Sequence, residues 1–247
     1  VIPSFRLADG SWIGSAGISF GGSGLPVSGL SRRPVGYYRL AADLSAVLDT
    51  VAETPGSEQL VNVMTADGGA IRGISISPPP LGRSAPVVAG GDLLVWGDNA
   101  SPEFRLHAPD GTLRSLVRWT APAIPVDGAL IGRMKQAALD RSDGSEQARE
   151  RIETQYAVPS PAPVVPWFGG IHLDSEGAIW LREYPVLQTD SVRFRIFQPD
   201  GQLLGQLALG PRHTVLDIGR EHLLTVWQDD DDLEHVRLYR LRRDGGR

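Results

Sequence analysis

An all-β chain built from repeated antiparallel meanders is the fold class this sequence predicts, and three observations carry it. First, a turn holding Gly or Asp leads four times into an apolar strand that carries Trp: Leu7-Ala8-Asp9-Gly10-Ser11-Trp12-Ile13, Gly91-Asp92-Leu93-Leu94-Val95-Trp96, Ser175-Glu176-Gly177-Ala178-Ile179-Trp180-Leu181 and Glu221-His222-Leu223-Leu224-Thr225-Val226-Trp227. Second, each is followed by a strand that alternates apolar and polar residues: Tyr37–Leu40, Phe104–His107, Arg193–Phe197 and Val236–Tyr239. Alternation at period two puts one set of side chains on a packed face and the other toward solvent. Third, two of these hairpins close on the same tripeptide, Pro109-Asp110-Gly111 and Pro199-Asp200-Gly201, in which Pro presets φ and Gly accepts a positive one.

A third strand leaves each turn, as Thr112–Val117 and Gln202–Leu209, with a degenerate copy from Ser45 to Ala52. Trp strand, hairpin and third strand recurring in fixed order read as β-propeller blades, whose usual period is roughly 40 to 45 residues. A β-sandwich would supply strands and turns without this fixed order. The expected organisation is a single domain over 1–247, with blades near 1–75, 76–125, 160–210 and 211–247. Tryptophans 12, 96, 180 and 227 are expected at equivalent positions and in the core.

Between the second and third units the β pattern stops, and residues 127–156 read as helix. Leu130, Ile131, Met134 and Ala138 share one face, as do Ala148, Ile152 and Tyr156 after the break at Arg141-Ser142-Asp143-Gly144. The pair reads as an insertion packed on the rim in preference to a lid over one mouth. Pro78-Pro79-Pro80 and the prolines at 159, 161, 163 and 166 stiffen the approaches to the sheets.

Composition narrows the function classes. The 247 residues are 41% hydrophobic and 21% charged, ordinary for a globular domain, and a net charge of -5 with no basic stripe gives no footprint for nucleic acid. No apolar run approaches the roughly 18 residues that cross a bilayer. Zero cysteines rule out a disulfide framework, a zinc–thiolate site and a cysteine nucleophile. A single lysine, Lys135, among 24 basic residues reads as codon bias.

The sequence resembles a bacterial group of six-bladed propellers in the style of NHL-type and SMP-30-like proteins. The resemblance is strongest over Asp174–Tyr184, Phe197–Gly201, Val215–Gly219 and Glu234–Tyr239. It implies an exported protein, periplasmic or extracellular, of which these are the C-terminal four blades. The chain opens on Val1 with neither an export signal nor two further blades ahead of it, so an N-terminally truncated six-bladed ring, open at both ends, is expected; a four-bladed ring is the alternative.

Candidate chemistry is sparse. Gly17-Ile18-Ser19-Phe20-Gly21 fits the G-x-S-x-G string of a nucleophile elbow, but Gly22-Ser23-Gly24-Leu25-Pro26 cannot begin the helix that motif requires, so Ser19 reads as a loop residue. Among His107, His172, His213, His222 and His235 no pair has zinc-site spacing. His172, just ahead of the third Trp strand, reads as a satisfied sheet histidine. The run Asp229-Asp230-Asp231-Asp232 offers oxygen ligands to calcium, yet lacks the Gly and terminal Glu of an EF-hand loop, and the plainer reading is a solvated turn.

If the Trp strands are innermost, their exits place Asp98, Asn99, Arg182, Glu183, Asp229 and Asp230 on one channel rim, where propeller ligands are met. No catalytic or metal residue is assigned and no cofactor is expected. The reading is a non-catalytic binding or scaffold module for a peptide, glycan or protein. The alternative is a calcium-type hydrolase or lactonase of the SMP-30-like kind, using oxygen ligands in the channel.

Overall fold

The computed structural model describes residues 1–16, 27–66, 70–158, 162–186 and 191–243; Ser19 lies outside them. In chain order the strands are β1 (Ile2–Arg6), β2 (Trp12–Ser15), β3 (Gly29–Arg32), β4 (Val35–Leu40), β5 (Val47–Thr54), β6 (Glu58–Thr65), β7 (Ile71–Ser77), β8 (Val87–Gly90), β9 (Leu93–Trp96), β10 (Glu103–His107) and β11 (Leu113–Arg118). Helices α1 (Gly128–Asp140) and α2 (Glu146–Ala157) follow, then β12 (Gly170–Leu173), β13 (Ile179–Arg182), β14 (Val192–Phe197), β15 (Leu203–Leu209), β16 (His213–Ile218), β17 (His222–Gln228) and β18 (Glu234–Arg240). They make five antiparallel sheets. Sheet I is β1-β2-β4-β5, sheet II β8-β9-β10-β11, sheet III β12-β13-β14-β15 and sheet IV β16-β17-β18, while β3-β6-β7 form an accessory sheet. The chain is thus all-β with a helical insertion.

Recurring turn chemistry explains why the strands fold back where they do. Among the described residues five hairpins, at 7–11, 108–112, 174–178, 198–202 and 229–233, share one pair of backbone hydrogen bonds, in which the first residue donates to the fifth carbonyl and the fourth N–H returns to the first. In three of them an Asp at the third position accepts the N–H two residues on: Asp9 from Ser11, Asp110 from Thr112 and Asp200 from Gln202. The fourth position has positive φ, held by Gly10, Gly111, Gly177 and Gly201, and by Asp232 in the last turn. Asp229 there takes the N–H groups of Asp231 and Leu233, so the acidic run is spent on making a turn.

The four main sheets stack in sequence order. Leu7, Ile13 and Val51 of sheet I pack on Ala89 and Leu94 of sheet II. Leu93, Val95, Phe104, Leu106 and Val117 of sheet II pack on Ile171, Ile179, Leu181 and Phe197 of sheet III. Ala178, Trp180, Val192 and Phe194 of sheet III pack on Ile218 and Leu223 of sheet IV. Leu94 therefore faces one neighbour while Leu93 and Val95 face the other, and Ala178 and Trp180 oppose Ile179 and Leu181. Burial on both faces is what makes β9 and β13 continuous apolar runs. Each fully buried Phe or Leu contributes about 1.5–3 kcal/mol to these seams.

The expected equivalence of the tryptophans is corrected by the pairing registers. Trp12 opposes Leu40, the last residue of β4; Trp180 opposes Ile196, one short of the end of β14; Trp96 opposes Arg105, two short of the end of β10; Trp227 opposes His235, near the start of β18. A shift of one position turns a side chain to the other face, and Trp180 alone is fully buried, at 1% exposure. Its indole N–H donates to the Asp174 carboxylate at 2.9 Å, which also accepts from the Glu176 and Ala178 N–H groups and from Arg243. The other three are half-buried under arginines: Arg6 over Trp12, Arg105 over Trp96 and Arg237 over Trp227, at 5.9, 4.8 and 3.8 Å from the ring centres. A second correction concerns order. The Trp strand is the second strand of each main sheet, with β1, β8, β12 or β16 outside it as an edge.

The helices form where the apolar spacing predicts them. Asp127 caps α1 by accepting from the Leu130 N–H, Ser145 caps α2 by accepting from the Ala148 N–H, and Lys135 pairs with Glu153 across the two. Leu130 sits with Leu81 and Val165, and Tyr184 and Val186 pack at the edge of that cluster. The insertion is thereby anchored beside the exit of β13. Among the described residues no helix is long and apolar enough to cross a membrane.

Candidate functional site

Sheets III and IV splay at one end and leave a cleft of about 690 Å³. Five chain segments wall it: the exit of β13 (Arg182 to Val186), the entry to β14 (Ser191 to Arg193), the entry to β16 (Arg212 to Thr214), the far end of β17 and the start of β18. Ile124, on the way into the helical insertion, closes one side. Apolar strand interiors bring the chain here; polar residues take over once it emerges from the packed seam.

Arg182 is the last residue of β13, opposed by Gly170 on one side and Phe194 on the other. Its carbonyl accepts from the Gly169 N–H. The guanidinium is half-buried, and burial pushes its pKa down. Among the described residues it meets no carboxylate and no side-chain acceptor. Its neighbour His172 stacks edge-on to Phe194 at 5.8 Å, and burial first, then the Arg182 charge, pushes that imidazole toward the neutral form.

Several of the other polar walls are engaged within the protein, while Arg193 and Glu234 are exposed to solvent. Glu183 pairs with Arg195 at 3.0 Å. Arg212 donates to the Asp229 carbonyl at 2.6 Å and lies 3.8 and 3.9 Å from the Asp230 and Asp232 carboxylates. His213 is buried, with Nδ1 at the Gly210 carbonyl and Nε2 at the Tyr239 hydroxyl. With Nδ1 donating to the carbonyl, Nε2 is left to accept the phenol proton. Burial raises the Tyr184 phenol, with Tyr156 adding to it, so that hydroxyl stays protonated.

The six residues expected on one rim divide into two groups. Arg182 and Glu183 line the cleft, and Asp229 and Asp230 sit at the β17–β18 tip against Arg212. Asp98 and Asn99 go elsewhere. Asp98 receives both arms of Arg32 at 3.0 and 2.9 Å, tying sheet II to the accessory sheet. Asn99 is fully buried; its side chain accepts from the Ser84 N–H and donates to Ser84 Oγ and the Phe168 carbonyl. It is a structural staple at the end of the seam between sheets II and III. Arg193, Arg212, Gln228 and Glu234 also line the cleft and were not singled out from sequence: Arg193, Arg212 and Glu234 lie at the starts of strands that carry no Trp, and Gln228 ends the fourth Trp strand one residue before the expected exit at Asp229.

Among the described residues no three His, Asp or Glu side chains gather as a metal site. A smaller pocket adjoins the cleft across Glu183 and Tyr184, walled by Trp119, Pro122, Trp167 and Arg195.

No family model matches this chain, and no curated protein resembles it in sequence. Ten solved chains match in structure. One is a protein of unknown function from Bacteroides caccae, 14% identical, with a TM-score of 0.29; the match covers 86% of this chain and 66% of that one, just under two thirds of its length.

Proposed function

We propose that the four main meanders are successive blades of a β-propeller and that the molecule is a non-catalytic binding module, taking a peptide segment of a partner into the cleft between sheets III and IV. Two features support the blade arrangement. The sheets stack strictly in sequence order, and the edge strands β1, β8 and β12 touch one another in turn, as strands nearest a common axis do. On the outer side of sheet IV, Val236 and Leu238 remain 71% and 69% exposed, which in this arrangement is a blade face.

The observation that carries the binding reading is the cleft itself, concave, lined about equally by polar and apolar atoms, and walled by five segments that the packed seam holds in place. Fold alone does not assign a function; the site does. The test is selection of displayed peptides on the protein, counter-screened with Ser191→Trp, which adds an indole at the cleft wall. Clones that bind the parent and lose Ser191→Trp are the expected result. A selection that returns only clones indifferent to the substitution overturns the reading.

A further inference from the structure

We infer that Arg182 anchors a carboxylate: the group taken at the floor of the cleft is a single negative charge, such as a peptide C-terminus or an acidic side chain. The inference rests on the cleft being the binding site and names the chemistry it selects. Three observations lead to it.

Arg182 is half-buried and, among the described residues, unmatched, whereas Arg32, Arg39, Arg83, Arg105 and Arg195 all lie within 4 Å of a carboxylate. A guanidinium held partly out of water without a partner is costly, and one that stays charged at all accessible pH lowers that cost by accepting an anion. Arg182 also has a backbone fixed on both sides by β12 and β14, so its position at the cleft floor is set by the sheet and not by a loop.

The charge on the walls selects the size of the anion's charge. Among the described residues Arg182, Arg193 and Arg212 line the cleft together with Glu183 and Glu234. Glu183 is already held by Arg195, and Arg212 is partly answered by Asp230 and Asp232. Arg182 is the half-buried cation left to be met, and one carboxylate meets it, whereas a phosphate dianion brings a second charge next to Glu183. The planar fork of Arg182 matches the two oxygens of a carboxylate. Tyr184, Pro185 and Val186 at the same wall offer apolar contact to the chain that bears it.

The experiment follows the Arg182 side-chain Nε–Hε resonance by NMR while three probes are added separately: hippurate, its neutral amide hippuramide, and inorganic phosphate. Hippurate should shift the resonance with a saturating curve, hippuramide should not, and phosphate should bind more weakly than hippurate. Arg182→Gln should weaken hippurate binding, read from ligand resonances, by about tenfold or more, the worth of a charge-assisted hydrogen bond, and Arg182→Lys by less.

Saturable hippurate binding that survives Arg182→Gln, equal binding of hippuramide, or tighter binding of phosphate each overturns the inference, as does the absence of any saturable shift. Should Arg182→Gln fail to fold by circular dichroism, Arg182→Lys and Ser191→Trp supply the same comparison. The inference and the binding reading fail separately. Peptide clones that need an open cleft but bind Arg182→Gln unchanged sink the carboxylate anchor alone; hippurate bound at Arg182 with no cleft-dependent clones sinks the peptide reading alone.

Discussion

The seam between sheets II and III and the seam between sheets III and IV are made from the same kind of meander, yet one is sealed and the other opens. In the first, Phe104, Trp119, Phe168 and Phe197 meet with ring centres 5.4 to 6.2 Å apart, and Asn99 closes the end with every side-chain polar atom bonded. Trp119 and Phe168 come from loops, not strands. In the second, Trp180 and Phe194 pack at 5.9 Å deep in the seam, but the strand ends and their flanks bring Arg182, Arg212 and Gln228 to its end in place of rings. The strand interiors decide that two sheets pack; the residues at the strand ends and just beyond them decide whether the seam becomes core or site.

The largest expected effect tests the sealed seam. Phe104→Ala removes a fully buried ring from the aromatic cluster and should lower unfolding free energy by about 3–5 kcal/mol in denaturant titration. Thr214→Ala on the cleft wall, where water already reaches, should change it by less than about 0.5 kcal/mol. Equal losses would mean the two seams are packed alike.

Asn99→Ala comes next. It strips the Ser84 and Phe168 groups of their partner inside the protein, for an expected loss of about 2–3 kcal/mol. A near-neutral result in thermal unfolding would show that Asn99 is not what closes that end.

A smaller change, of opposite sign, is expected in the open seam. The Thr225 hydroxyl is completely buried on β17 and has no hydrogen-bond partner among the described residues. Thr225→Val keeps the shape and removes an unsatisfied group, so the melting temperature should rise, by the equivalent of about 1 kcal/mol.

The smallest effect is a titration at the tip beside the cleft. The His235 hydrogen bond foremost, then the Leu233 N–H, hold the Asp229 carboxyl below the usual carboxylate range. A carboxyl lowered on folding contributes stability above its unfolded pKa and loses it as pH falls through the folded value. Carboxyl carbon NMR from pH 6 downward should therefore show Asp229 titrating later than a free aspartate, and His235→Ala should move it back up. An unchanged midpoint in that variant would remove His235 as the cause.

Much of the architecture was legible because it is local. Meander strands pair with their sequence neighbours, and the Asp-Gly turns and alternating strands declare each hairpin within a few residues. Helices α1 and α2 were legible for the same reason. The accessory sheet was not: β3 is only Gly-Leu-Ser-Arg and finds its partner β6 across the whole β4–β5 hairpin, a pairing that leaves no trace in local periodicity. The tryptophans misled because a repeated residue in a repeated strand need not keep its register. For the site, the exits of the Trp strands pointed to Arg182 and Glu183, while Arg193 and Arg212 enter from strand starts in the neighbouring segments. Asn99 looked like a rim residue by position and is a core amide by environment; only the Ser84 and Phe168 partners, distant in sequence, distinguish the two.

The accessory sheet also constrains the order in which the molecule assembles. Strand β3 cannot find β6 until β4 and β5 have folded back, since the two are joined only through that hairpin. At the same corner Gly56 turns with φ +70 and no room for a Cβ, which would sit 2.1 Å from the Arg33 carbonyl oxygen. Arg32, the last residue of β3, reaches Asp98 on sheet II only once both sheets are in place. Contacts of this kind pay their loop-closure entropy late. The Arg32–Asp98 fork is thus a latch that closes after the first two meanders have formed, and a refolding chain should gain its hairpin amide protection before the β3–β6 amides acquire theirs.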